Sequence, residues 1–204
     1  MKNVFYINNN TIIQKLFFFE IEKYYLCETC KSRKYASYFI NCVLEFKLEE
    51  IKKEIKIYDL LDYLTQMKVC TKCNKKTTLK SVTNFNSCPQ YLIIVIKHIN
   101  KLKDKFKHSE KIDLKSYKTK SNNDSSEYNL VSFIKNPQIE EEKKDGIIYC
   151  KSPVNNEWYR YEGLKYEKTN INDIIKKEKS IPHILIYQNK CVDKGDYKSI
   201  FFNN

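Results

Sequence analysis

Glycine is nearly absent from this sequence: 204 residues contain 3, at Gly146, Gly163 and Gly195. A phosphate-cradling loop needs several glycines within one short turn, so Gly-rich nucleotide sites are excluded. Arginine is as scarce, since of 37 basic residues only Arg33 and Arg160 carry a guanidinium. The bidentate fork that reads bases and phosphates is therefore almost missing, which argues against specific nucleic-acid recognition despite a formal charge of +12. Long apolar runs are missing too. The longest, such as YLIIVI at 91–96, fall far short of a membrane span, and MKNVFYINNN lacks the apolar stretch of a secretory signal. These features lead us to expect an intracellular chain that is neither secreted nor membrane-bound.

What is present is globular. Hydrophobic residues make up 42% and aromatics 14% of the chain, enough for one domain with a real core. The even positions from Ala36 to Leu48 are mostly apolar, which reads as one strand with a single buried face. Asp59 precedes Leu60, Leu61, Leu64 and Met67 at helical spacing, which predicts a short helix with Asp59 as its N-cap. Strands are expected over TTLKSVTNF (77–85), YLIIVIKHI (91–99, continuously apolar and hence central), YNLVSFI, IIYCK, EWYRYE and HILIYQ (183–188). A turn or two of helix is expected over NDIIKKE (172–178). Polar loops are expected at 118–127 and 135–146, and a loosely attached tail at 191–204. The sum is a β-rich α+β domain, an antiparallel sheet with few short helices, because the strands are too closely spaced for repeated βαβ units.

The strongest chemical signal is a pair of C-x-x-C turns, Cys27-Glu28-Thr29-Cys30 and Cys70-Thr71-Lys72-Cys73. Together they offer four thiolates, the tetrahedral shell that structural zinc prefers. Four protein ligands leave no place for water, so the expected ion is structural Zn2+ with no catalytic role. The 39 residues between the pairs, 31–69, exceed a compact ribbon and require an intervening hairpin and helix to bring the turns together. Cys42, Cys88 and Cys150 read as core residues, and Cys191 as an exposed one. His98 and His183 flank strands and read as structural, while His108 sits in a lysine-rich, solvated stretch.

These elements, in this order, resemble the ubiquitin-specific protease family of cysteine deubiquitinases, within the papain-like superfamily. FFFEIEKYYLCETC is similar to the family's entry into its first knuckle. CPQYLIIVIKHI is similar to its P-x-x-L-x-x-x-L-K-R-F strand, with Lys97 matching and His98 and Ile99 in place of Arg and Phe. KHSEKIDLKSY with YNLVSFI resembles the approach to the histidine box, and HILIYQ resembles the final strand. The likeness spans about 16–188. It implies an N-terminal extension over 1–15, a partial protease-like domain over 16–190 and a tail over 191–204. Within that domain, zinc-bearing fingers would fall at about 20–85 and a palm at about 86–190. The 26 residues before Cys27 match no part of the box that supplies the family's nucleophile, so the thumb is missing from the resemblance.

The family's histidine lies four residues before a Tyr and thirteen before a Trp. Counting back four from Tyr149 and thirteen from Trp158 gives the same position, Asp145. Lys144, Asp145 and Gly146 stand where Gly, His and Tyr would, Asn136 replaces an earlier His, and the third triad position falls on Glu162. No catalytic residue is therefore expected. The resemblance implies a silent module that binds ubiquitin, a ubiquitinated protein or a partner through its fingers, with a partner chain completing the missing thumb. A second expectation is half of an active deubiquitinase whose Cys box is supplied elsewhere. A third, from another class, is a basic zinc ribbon for nucleic acid, which lysines scattered over nearly every segment disfavour.

Overall fold

The structure, a computed structural model, describes residues 11–48, 55–62, 65–98, 106–107, 109–119, 125–135, 146–177 and 182–191. Asp145, Asn136 and His108 lie outside them, as do most of the two polar loops and nearly all of the tail. Helix α1 (Ile12–Phe17) opens on a capping box: the Gln14 N–H donates to Thr11 Oγ1 at 3.3 Å, and the Thr11 N–H to Gln14 Oε1 at 3.0 Å. Strand β1 (Phe19–Cys27) follows, with Phe19 and Ile21 fully buried.

The single strand read from Ala36 to Leu48 is two strands, β2 (Arg33–Asn41) and β3 (Val43–Leu48), in different sheets. Asn41 causes the break. Its side-chain oxygen accepts the N–H groups of Cys42 (2.8 Å) and Val43 (3.4 Å), a local bond that competes with ladder pairing and turns the chain. The alternation therefore buries Leu44 in the larger sheet but leaves Tyr38 and Ile40 exposed on the smaller one.

Next come β4 (Ile55–Lys56) and helix α2 (Ile57–Asp62). Asp59 lies inside the helix rather than at its cap, and its carboxylate reaches back to accept the Lys56 N–H at 2.7 Å. The helix ends sooner than the spacing predicts: Leu64 is outside the described residues, and Met67 belongs to β5 (Thr65–Val69), where pairing with β6 (Lys76–Ser87) overrides helical periodicity. Then follow β7 (Tyr91–His98), β8 (Phe106–Lys107), β9 (Lys111–Asp113), a 3-10 turn (Lys115–Tyr117) and β10 (Glu127–Lys135). The chain closes with β11 (Ile147–Lys151), β12 (Trp158–Glu162), β13 (Lys165–Thr169), α3 (Ile171–Lys177) and β14 (Pro182–Asn189). Strand β13, whose KYEKT sequence gives little β signal, forms because a two-residue turn at Gly163–Leu164 folds it onto β12. Gly163 takes φ 55° there, the left-handed backbone such turns require.

The strands form a smaller antiparallel sheet, β2-β1-β6-β5, and a main sheet, β13-β12-β11-β10-β14-β7-β3, with β9 added beside β10. This is the expected β-rich α+β architecture; β7 is an interior strand between β14 and the edge strand β3, one place in from the edge rather than at the centre, which β10 holds. Pairing within the main sheet is antiparallel except for β3 and β7, which run parallel because the whole excursion through α2, β5 and β6 separates them. One face of the main sheet carries the core. Leu44, Ile94, Leu185, Phe133 and Tyr149 stand in register across five strands, and all are buried. Phe133 stacks on Tyr149 at 4.6 Å and tilts against Trp158 at 6.4 Å. Phe19, Ile21 and Phe85 join the same cluster from the base of the smaller sheet. At the far end of that sheet the buried cluster is two cysteines, Cys27 and Cys70, with Tyr25, Cys30 and Cys73 against them.

Candidate functional site

Both C-x-x-C segments are hairpin turns of one design. The Cys27 N–H donates to Ser32 O (3.0 Å) and the Lys31 N–H to Cys27 O (2.9 Å), with Lys31 left-handed at φ 57°. In the second turn the Cys70 N–H donates to Lys75 O (3.1 Å) and the Asn74 N–H to Cys70 O (2.8 Å), with Asn74 at φ 51°. A third copy joins β11 to β12 without any cysteine: Ser152 N–H to Glu157 O (2.8 Å), Asn156 N–H to Ser152 O (2.9 Å), Asn156 at φ 59°. There Ser152 and Asn155 occupy the two cysteine positions, and their oxygens accept main-chain N–H groups of the turn. The turn is thus a main-chain motif that needs no metal. What a metal adds is the joining of two such turns.

The topology presents them to each other. β1 runs toward its turn and pairs antiparallel with β6, which leaves the other turn, so both lie at the same end of the sheet. The sulfurs of Cys27, Cys30, Cys70 and Cys73 all lie within 4.8 Å of one another. Cys27 to Cys73 is 3.9 Å, and Cys30 to Cys70 is 3.7 Å. A tetrahedral ion with metal–sulfur bonds of about 2.3 Å sets its ligands about 3.8 Å apart, so the residues fit a four-thiolate shell and can hold a metal.

Hydrogen bonding prepares the thiols unequally. The Cys70 thiol is held down at about 6, first by the Cys73 and Lys72 N–H groups and then by the Ser32 hydroxyl. Cys30 is also lowered, chiefly by the Ser32 hydroxyl and then by its main chain. For Cys73 the Lys75 N–H pulls downward, but burial and the sulfurs of Cys70, Cys30 and Cys27 outweigh it and push the thiol up to about 11. Without a cation the four sulfurs cannot all shed their protons. Ser32, which the spacing of cysteines does not reveal, is 3.0 Å from Cys30 Sγ and 3.6 Å from Cys70 Sγ, bridging the two turns. Its only sequence signal is a hydroxyl two residues after the second cysteine. Ser32→Ala is expected to lower metal affinity about tenfold while the fold persists, as read by competition with a chromogenic chelator.

The second location is the β11–β12 hairpin. Asp145 lies just beyond the described residues, next to Gly146. Glu162 ends β12 opposite Ile147, and its carboxylate takes a 2.6 Å hydrogen bond from Arg160 Nη2, while Arg160 Nη1 bonds Glu167 at 3.2 Å. Burial disfavours the Arg160 charge, but the bonds to Glu162 and Tyr149 prevail and hold it protonated. Glu162, the residue that the resemblance assigns to the third triad position, is thus held in an ion pair with Arg160, a partner not evident from the spacing. A hollow of about 640 Å³ beside this pair is lined by Trp158, Arg160, Lys168 and Asp173 among others, and its Lys168 pairs with Glu157. Of the other candidates, Cys88 packs against the core as expected. Cys42 and Cys150 are only half-buried, Cys150 on the sheet face opposite the core, and Cys191 is exposed. His183 Nδ1 lies 3.3 Å from Ile96 O, a structural contact, and the His98 side chain is not among those described.

A main sheet extended by a smaller one, with paired cysteine turns at the far tip, is a strand-rich fold with few short helices and a four-cysteine cluster that can hold a metal. The chain belongs to the ubiquitin carboxyl-terminal hydrolase family, whose model matches residues 3–187. Among solved structures it is similar to Ubp8 in the SAGA DUB module with Sgf11, Sus1 and Sgf73 bound to monoubiquitin, at 16% identity and a TM-score of 0.67. That alignment covers 91% of this chain and 43% of the other. The same module bound to ubiquitin aldehyde gives 16% identity and a TM-score of 0.67, over 92% and 44% of the two chains. A module with an Ubp8 variant gives 16% and 0.64, over 91% and 44%. The chain thus spans less than half the length of the solved chains it matches. No curated protein sequence matches it. Among the described residues no helix is long and apolar enough to cross a membrane.

Proposed function

We propose that this chain is a catalytically silent member of its family, in which a structural zinc ion organises fingers that bind ubiquitin, or a ubiquitinated partner, inside the cell. The observation that carries the silent reading is the carboxylate at position 145. Aspartate ionises near 3.9, so at neutral pH it already bears a charge that disfavours a neighbouring thiolate, and it cannot accept and return a proton as an imidazole does. The Glu162–Arg160 pair supports the same reading, because the carboxylate at the position the family gives an Asp or Asn takes a guanidinium as its partner.

The four cysteines support the binding half. Zinc is the ion whose thiolate preference and tetrahedral geometry suit them, and the closed shell gives it a structural role. Ubiquitin enters because the solved modules of this fold are bound to monoubiquitin and to ubiquitin aldehyde. A second reading, half of an active deubiquitinase completed by another chain, draws support from the 43% coverage of the Ubp8 chain. An electrophilic probe, ubiquitin bearing a C-terminal vinyl sulfone, separates the two when it is applied to the zinc-loaded chain isolated together with whatever polypeptides bind it, because it alkylates a thiolate seated in a deubiquitinase cleft. The silent reading expects no adduct on the chain or on anything bound to it. An adduct on a cysteine of a co-isolated polypeptide would favour the second reading, and one on a cysteine of this chain would overturn the silent reading.

A further inference from the structure

Lysines are spread through the sequence, but the fold gathers a set of cations in one place. The two cysteine turns lie at the same end of the smaller sheet, and Lys31, Arg33, Lys34, Lys72 and Lys75 flank them. All five are exposed, and none forms an ion pair among the described residues. One carboxylate, Glu28, shares the tip, because the other acidic residues of β1, Glu20 and Glu22, lie toward its start. Strands β5 and β6 bring Lys68, Lys76 and Lys80 toward the same end by backbone register. A zinc ion with four thiolates would carry two negative charges, fewer than the cations around it. The surplus is local, in contrast to the main sheet, where Lys97 pairs with Glu45 and Lys168 with Glu157. Such a patch concentrates polyanions at its surface.

Aromatic rings stand among these charges. The Arg33 guanidinium lies over the Tyr24 ring, 5.0 Å from its centroid. Tyr35, 60% exposed, is opposite Tyr24 in the β1–β2 ladder, and Arg33 is opposite Leu26, so Arg33, Tyr24 and Tyr35 share one face of the sheet. Tyr38, 47% exposed, follows along the same edge strand. The rings choose between polyanions. An acidic polypeptide would use the cations and leave the rings idle. A duplex keeps its bases stacked inside, and among the described residues the tip has no helix to enter a groove. A strand with unpaired bases uses both features: its phosphates meet the cations and its bases stack on tyrosine. Lysines are point charges and a single guanidinium builds no bidentate code, so such binding tolerates any sequence.

We propose that the tip of the smaller sheet, through Lys31, Arg33, Lys34, Lys72, Lys75 and the ring of Tyr35, binds single-stranded nucleic acid without sequence preference. The proposal does not rest on ubiquitin binding, and its test contains no ubiquitin. A short fluorescein-labelled oligothymidylate is titrated with the full zinc-loaded chain at rising salt, and binding is read by fluorescence anisotropy. The logarithm of the binding constant should fall against that of salt with a slope of about −3.5, each of the five cations contributing about 0.7. Lys72→Gln combined with Lys75→Gln should flatten that slope by about 1.4. Tyr35→Ala should weaken binding about tenfold and leave the slope as it was. Lys97→Gln, on the main sheet, should change neither. Each variant is checked for folding by circular dichroism and for metal content. A folded chain that leaves the anisotropy unchanged at low salt overturns the proposal, as does a Tyr35→Ala variant that binds as tightly as the parent. It is overturned too if polyglutamate, or a duplex of equal length, displaces the probe as well as unlabelled oligothymidylate does. Displacement by polyglutamate would mark an acidic polypeptide as the occupant instead.

Discussion

Stripping the metal from the native chain is expected to open the tip of the smaller sheet, β2-β1-β6-β5, and leave the main sheet folded. The reason lies in where apolar burial is concentrated. Among the described residues the large core sits on one face of the main sheet and reaches the smaller sheet at its base, through Phe19, Ile21 and Phe85. At the tip the buried cluster is cysteine itself. Each turn closes on its own main-chain hydrogen bonds, as the cysteine-free turn at Ser152–Glu157 demonstrates, so chelation should spare the individual turns and release their hold on each other. Structural metal sites contribute their binding energy directly to folding. Hydrogen exchange should therefore quicken by on the order of a thousandfold at the tips of β1, β2, β5 and β6, with little change in β7, β10 and β14. Metal analysis should give one zinc per chain before chelation, and Cys70→Ser should reproduce the chelated pattern. Equal loss of protection in both sheets would show that the two are one cooperative unit and that this division of stability is wrong.

Turnover of a fluorogenic ubiquitin substrate is expected to stay at the uncatalysed rate, roughly a millionfold or more below an active enzyme. Installing a histidine by Asp145→His should not change this. On the proposed reading no cysteine of this chain stands where the family's nucleophile would, so an added base has nothing to activate, and the carboxylate proposed to orient it is bonded to Arg160 at 2.6 Å. Addition of Arg160→Ala would free Glu162 yet still place no thiolate beside the new histidine, so the double variant should also be inert. Turnover above background that disappears on cysteine alkylation would contradict this account and identify a nucleophile among the chain's own cysteines.

The metal site was legible because its signal is local: two turns with cysteines at the first and fourth positions announce themselves by spacing alone. That β7 is a strand paired on both sides was legible for a related reason, since the unbroken, β-branched YLIIVI run suits a strand apolar on both faces, and β7 lies between β14 and β3. The end of β2 was not legible. Asn41 and Cys42 carry no glycine or proline, and the alternation continues across the bend although the strand changes sheets. Met67 kept a helical spacing that β6 overrode by pairing, a long-range preference that no window of sequence contains. Ser32 and Arg160 were hidden for the same reason. Each acquires its role through a partner that only folding supplies, Cys70 for the one and Glu167 across the β12–β13 turn for the other.

The proposed function joins a silent β11–β12 hairpin to a metal-bearing sheet that still binds ubiquitin. The most direct measurement is a titration of isotopically labelled monoubiquitin with the zinc-loaded chain, following amide shifts in the ubiquitin spectrum, with the chelated chain as the paired control. The account predicts shifts confined to one contiguous surface of ubiquitin that vanish when the metal is removed. An unchanged ubiquitin spectrum at high concentration of the folded, zinc-loaded chain would contradict it.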